Sequence, residues 1–282
     1  MSTPSPNSIL KDEYPKTITV KELHPTFGAE VLGIQWGDNG VISDEQLQDL
    51  RDTYGFIVLR ATPLTDSTHV SFSRLFASGP LDDISRFLPP GRVPRYYPHL
   101  ELFDASNLSD DGRAILDPSS SPRAMLLRAN SSWHSDLAYN PRRSSYSLLR
   151  AVELPSREPG EMGEIEGNTE FADSRTAWEE LAAEKKRELL TKDWTGVYNA
   201  AHSRKLGRLS TLKTMWLTRG LWRALRWEQP GDLVIWDNRA TTAFDQGPTA
   251  WGLNGEGAPL PTLKSITKEK GLPLTQSAAV ER

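Results

Sequence analysis

No apolar run in this chain exceeds four residues, and that bounds its fold more tightly than any other feature. Phe56-Ile57-Val58-Leu59 lies between Gly55 and Arg60, and Leu233-Val234-Ile235-Trp236 lies between Asp232 and Asp237. Unbroken runs this short, rich in β-branched and aromatic residues, read as buried strands rather than helices. A helix crossing a membrane needs about 20 apolar residues, so no membrane span and no membrane partner is expected.

Helical spacing flanks the first run. Ser43 is a good N-cap, and Gln46 three residues later completes a capping-box pattern. Leu47, Leu50 and Tyr54 follow at helical intervals, and Gly55 ends the helix. Thr65–Ala77 repeats the pattern, with Val70, Phe72, Leu75 and Phe76 on a second helix. Lys16–Val20, Phe27–Trp36 and Ser144–Leu154 read as further strands, and Gln229-Pro230-Gly231-Asp232 as a turn. Asp173 or Ser174 can cap a helix running to about Leu190, with Ala177, Trp178 and Leu181 as its inner face.

The fold class implied is mainly β with flanking helices (α+β). Sheet-rich sandwiches and barrels reach 282 residues as one domain, so residues 16–282 are expected to form a single domain behind a disordered tail, 1–15. Residues 79–122, rich in Pro, Gly, Asp and Ser, read as a long loop of the kind that serves as a lid or binding loop.

A net charge of -4 argues against a general nucleic-acid partner. Residues 204–226 carry seven Lys/Arg and no acid, interleaved with Trp216 and Trp222. A basic surface helix with its tryptophans turned inward is the better reading there than a nucleic-acid groove. Cysteine is absent, which removes disulfides, thiolate metal sites and cysteine nucleophiles. Met1–Ser8 has no apolar core of a signal peptide, so a soluble cytoplasmic protein is expected.

Chemistry concentrates at Trp133-His134-Ser135-Asp136. A histidine and a carboxylate two residues apart on an extended segment point to one side of the strand. They supply two ligands of a 2-His-1-carboxylate facial triad, the open iron site of non-heme oxygenases. The triplet alone is weak, since a lone histidine is more often a structural hydrogen-bonder. The five histidines are His24, His69, His99, His134 and His202, none in the last eighty residues. A hydrolase is poorly supported, because Ser135 has no second histidine nearby to activate it.

The order of motifs carries more. Asn130 through Asp136, then Gly167-Asn168-Thr169-Glu170-Phe171-Ala172-Asp173, then Gly231 through Asn238, resemble the taurine/dichlorophenoxyacetate dioxygenase family, most closely its fungal branch. Gly55–Arg60, Phe72–Pro80 and Pro248-Thr249-Ala250-Trp251-Gly252 extend the resemblance over most of the chain. It implies a double-stranded β-helix (jelly roll) using Fe(II), O2 and 2-oxoglutarate. The substrate implied is a small organic acid or secondary metabolite, oxidised with release of succinate and CO2. His134 and Asp136 match the first two iron ligands, Thr169 the residue that hydrogen-bonds 2-oxoglutarate, and Asn130 a substrate contact.

The departures are equally local. The family follows Trp-Asp-Asn with a second histidine ligand within a few residues, and then with an arginine for the distal carboxylate of 2-oxoglutarate. Here Asn238 is followed by Arg239-Ala240-Thr241-Thr242-Ala243-Phe244-Asp245-Gln246-Gly247 and at once by the C-terminal motif. Thr241-Thr242 resembles the end of the arginine strand, with Ala240 at the arginine position. An internal deletion after Asn238 is the reading, leaving the jelly roll incomplete at its last strands. His202 falls on a helix with no metal role in the family and reads as a surface or capping residue. The competing reading is a catalytically impaired, truncated relative with a binding role. An unrelated jelly-roll binding module such as a lectin is disfavoured by the combined motifs.

Overall fold

The computed structural model describes residues 17–24, 27–52, 54–76, 79–88, 91, 93–106, 108–109, 111–113, 134–137, 144–154, 168–192 and 222–245. Met1–Ile115, Ser145–Glu161 and Trp227–Asp237 form one compact unit. Leu116–Ser144, Met162–Arg226 and Asn238–Arg282 form a second.

Both apolar runs are strands of the first unit, and they pair with each other. Its five strands are β1 (Thr19–His24), β2 (Gly28–Leu32), β3 (Phe56–Leu59), β4 (Tyr146–Arg150) and β7 (Leu233–Asp237). Their order in the sheet is β1-β2-β3-β7-β4, with only β2 and β3 parallel. Phe56 faces Trp236 and Leu59 faces Leu233 across the antiparallel ladder, and both runs are buried throughout. Alternation divides the side chains between two faces. Ile57, Leu59, Leu233 and Ile235 join one core cluster with Leu47 and Leu50 of α1 (Asp44–Asp52) and Phe72 of α2 (Asp66–Leu75). Each such side chain contributes about 1.5–3 kcal/mol on burial.

The strand bounds differ from the sequence reading in the outer strands, where apolar alternation is weak. β1 runs to His24 with a register irregularity between Glu22 and His24. β2 stops at Leu32, because Gly33 takes φ +84° and Gln35 is held elsewhere. The capping box at Ser43 is a correction. Ser43 Oγ accepts from Gln46 N at 3.2 Å, but the Gln46 side chain accepts from Gln35 N and donates to Gly33 O. A full box forms instead on α2, between Thr65 and Thr68. Of the loop expected over 79–122, the described residues are irregular apart from a 3-10 turn at Ile84–Phe87 and an isolated bridge at Leu108.

The polar heart of this unit is Asp232, which is fully buried at the start of β7. Its carboxylate takes Arg60 Nη1 at 2.7 Å and accepts from Ala61 N, Glu228 N and Gln229 N. A buried carboxylate with a cation and three backbone donors is satisfied, whereas either partner alone would be costly. The turn expected at Gln229–Asp232 is present, with Gly231 at φ +90°.

In the second unit, β5 (Thr169–Asp173) lies between β6 (Trp222–Leu225) and β8 (Thr241–Asp245), antiparallel to both. The helix expected from Asp173 to Leu190 is two helices, α3 (Ser174–Glu180) and α4 (Ala183–Thr191), separated by extended backbone at Leu181. Asp173 does cap it, accepting from Arg175 N at 2.9 Å. The inner face assigned to Ala177, Trp178 and Leu181 is corrected: no residue of α3 or α4 is buried, and Trp178 is 41% exposed. Lys186 Nζ reaches back to the Glu179 carbonyl at 2.6 Å, so a carbonyl freed by the break is bonded by a cation. The basic helix expected over 204–226 is corrected at its end, since Trp222–Leu225 is a strand; 204–221 lie outside the described residues. Among the described residues no helix is long and apolar enough to cross a membrane.

Two stability predictions follow from the first unit. Asp232→Ala removes Arg60's shortest ion pair and the acceptor of three backbone amides, so urea unfolding is expected to show a loss of about 3–5 kcal/mol. His69, buried on α2 with no hydrogen bond to Nε2 among the described residues, has its pKa pushed down to about 4 by burial. The Arg150 cation adds to that depression and Asp66 opposes it. The unfolded chain therefore binds this proton more readily than the native one. Its contribution to stability is complete above pH 6.5 and is lost as pH falls toward 4, on the order of 3 kcal/mol. Unfolding titrations over that window are expected to be flatter in His69→Gln than in the parent.

Candidate metal and co-substrate site

His134 stands at an isolated β-bridge, and the chain turns directly after it at Asp136 and Leu137. Leu137 takes φ +48°, a conformation that costs a non-glycine residue about 1 kcal/mol and needs support from its surroundings. Despite the turn, His134 Nε2 and Asp136 Oδ1 lie 3.3 Å apart, with the two side chains 29% and 34% exposed. Two ligands bound about 2.1 Å from one ion at tetrahedral or octahedral angles would sit about 3.0–3.4 Å apart. The pair therefore fits two adjacent positions on a divalent cation.

Asn238 meets this segment from the other side. It follows the last residue of β7, and its side chain bonds to the backbone of Asp136 and Ser144 while its carbonyl accepts from Ser135 Oγ. The sequence reading used Asn238 only as a motif landmark. The available signal was a buried-strand end followed by an amide rather than a charged residue.

Thr169 opens β5, is 2% exposed, and is paired in register with Leu225 of β6 and Asp245 of β8. Asn168 beside it is buried, and its Oδ1 has no hydrogen-bond partner among the described residues. Asn130 and His202 lie outside the described residues. His24, His69 and His99 belong to the first unit.

The interval after Asn238 is short. Arg239 and Ala240 alone separate it from β8, and the Ala240 carbonyl accepts from Ser174 N and Oγ at the start of α3. Among the described residues no group of three His, Cys, Asp or Glu side chains stands ready to hold a metal ion. His134 and Asp136 are a pair of adjacent donors, with no third His, Cys, Asp or Glu side chain grouped with them among those residues.

Comparison with known proteins gives the lineage. The chain is 30% identical over 174 residues to the alpha-ketoglutarate-dependent 2,4-dichlorophenoxyacetate dioxygenase of Cupriavidus pinatubonensis, covering 61% of this chain and 56% of that one. It is 31% identical over 165 residues to pentalenolactone F synthase of Streptomyces arenae, covering 57% and 48%. The chain thus spans about half the length of these curated relatives. In fold it is similar to AAD-2, solved with Mn(II) and N-oxalylglycine, at a TM-score of 0.59 and 21% identity over 83% of this chain and 93% of that one. It is similar also to a taurine dioxygenase from Burkholderia xenovorans, at a TM-score of 0.55 and 20% identity over 82% and 84%. The model of the taurine catabolism dioxygenase TauD, TfdA family matches residues 19–219, and the chain belongs to that family.

Proposed function

We propose that this chain is an Fe(II)- and 2-oxoglutarate-dependent dioxygenase that oxidises a small organic acid or a secondary metabolite, releasing succinate and CO2. The observation that carries the reading is the 3.3 Å approach of His134 Nε2 to Asp136 Oδ1 in a chain of this family. The names of the curated relatives, one acting on an aryloxyacetate and one a synthase of pentalenolactone F, support the two substrate classes.

In this reading His134, as a neutral imidazole, and Asp136, as a carboxylate, hold the metal ion. Iron with 2-oxoglutarate, when bound, supplies oxidation of a substrate C–H bond, one oxygen atom of O2 going to the substrate and the other to succinate. Thr169 donates its hydroxyl to a carboxylate of 2-oxoglutarate. Its burial on β5 keeps competing water from that bond, which is of the charge-assisted kind. Asn130 contacts the substrate.

A second reading is favoured by one observation: only Arg239 and Ala240 lie between Asn238 and β8, where the family pattern needs a histidine and then an arginine. On that reading the chain carries an internal deletion after Asn238, an incomplete jelly roll, and a fungal-branch ancestry. It is then a catalytically impaired relative with a binding role. Loss of even an outer partner of a metal ligand costs 10–100-fold in affinity or activity, and loss of a ligand costs at least as much.

Anaerobic titration separates the two. Addition of Fe(II) and then 2-oxoglutarate is expected to give a weak visible charge-transfer band, and admission of O2 to release succinate. No iron binding at micromolar concentration would leave the impaired relative as the reading. Thr169→Val is expected to weaken 2-oxoglutarate binding about tenfold, the worth of one hydrogen bond to a charged group, with the Fe(II) affinity unchanged. An equal loss of both in a calorimetric titration would remove Thr169 from the co-substrate site.

A further inference from the structure

We propose that Asn238 is the positioning residue of the His134–Asp136 pair, a role that rests on reading that pair as the metal donors. Its side-chain amide makes four polar contacts. It is 1% exposed. Asp136 N–H donates to Asn238 Oδ1 at 2.9 Å, and Asn238 Nδ2 donates to Asp136 O at 2.6 Å and to Ser144 O at 3.2 Å. Ser135 Oγ donates to the Asn238 carbonyl at 2.7 Å and approaches Oδ1 at 3.2 Å.

One carboxamide thus satisfies both backbone groups of Asp136, as a neighbouring strand would. The segment needs this. His134 and Asp136 are about a third exposed, so packing alone does not fix their side chains, and the next residue, Leu137, sits at φ +48°. A turn held in that region reverts unless its surroundings determine it. The two donors stay side by side because Asn238 bonds the Ser135 hydroxyl between them and both backbone groups of Asp136.

The chemistry admits no substitute. The site requires an acceptor for Asp136 N–H and a donor facing two carbonyls within one planar group, which an amide has and a carboxylate lacks. Asp at this position would face the carbonyls of Asp136 and Ser144 with an acceptor where a donor stood. Leu, close in size, would remove the hydrogen bond that Asn238 gives each of these backbone groups.

The test reads the clamp and the metal separately, in the full chain. Backbone hydrogen exchange by NMR measures the Asp136 amide without any metal, and Mn(II) titration measures the consequence. Asn238→Asp is expected to speed Asp136 exchange at least tenfold and to weaken Mn(II) binding 10–100-fold, with exchange at Phe171 in β5 unchanged. Ser135→Ala, which keeps the amide, is expected to do both to a smaller degree, and it decides the matter if Asn238→Asp does not fold. Unchanged Asp136 exchange overturns the proposal. So does parallel acceleration at Asp136 and Phe171, which would make Asn238 a residue of the fold alone, or Mn(II) affinity that holds while Asp136 is deprotected. If the parent chain itself binds no Mn(II), the dioxygenase reading fails, and exchange at Asp136 still decides whether Asn238 holds the segment.

Discussion

The pairing of β3 with β7 is the constraint on which the described fold depends. Two four-residue apolar runs from opposite ends of the sequence meet in antiparallel register, and neither could be buried alone. Short strands contribute little by themselves, so the pairing needs its ends secured. Asp232 secures one end by collecting Arg60 and three amides around one buried carboxylate. Arg60 in turn reaches Glu30 of β2 and Glu228, so a single cation ties three stretches of chain to that carboxylate. Close pairing of charge is what makes burial of Asp232 tolerable.

Just past the other end of β7 stands Asn238, and the contrast with Asp232 is chemical. Asp232 accepts four times and donates nothing, as a carboxylate facing a cation and amides must. Asn238 meets both an N–H and carbonyls, which calls for an amide. The difference of one atom between the two side chains separates a residue that closes a sheet from one that shapes a site.

Much of this was legible in sequence where burial is two-sided. The runs at 56–59 and 233–236 left no alternative to strands, and the spacing of Phe72, Leu75 and Phe76 gave α2. Legibility failed where a side chain had a choice of partners. Gln46 matched a capping box three residues after Ser43, but its amide found better-placed backbone groups at Gly33 and Gln35. Trp178 and Leu181 matched an inner helix face, yet spacing reports amphipathicity and not whether anything covers it. β5 mixes Thr, Glu and Asp with two small or apolar residues, and only pairing on both sides with β6 and β8 makes it a strand. Of the candidate site, His134 and Asp136 could be named from spacing, but the turn at Asp136 and Leu137 is held by an amide about a hundred positions away.

That dependence bears on how a pair of donors, without a third among the described residues, could hold an ion as proposed. With three protein ligands, the bound ion itself holds the donors in place, and the cost of ordering them is offset by metal–ligand bonds. With two, the ion contributes less order and the protein must contribute more before binding, because each unfixed side chain adds conformational entropy to be lost. A pair already 3.3 Å apart on a segment pinned at Ser135 and Asp136 has lost much of that freedom in advance. The clamp therefore matters most in a chain like this one, where the ion would arrive at a site with no third side chain among the described residues to complete it. Preorganisation and ligand count act on the same free energy, so on the proposed reading the order that Asn238 imposes offsets part of what a third donor would supply.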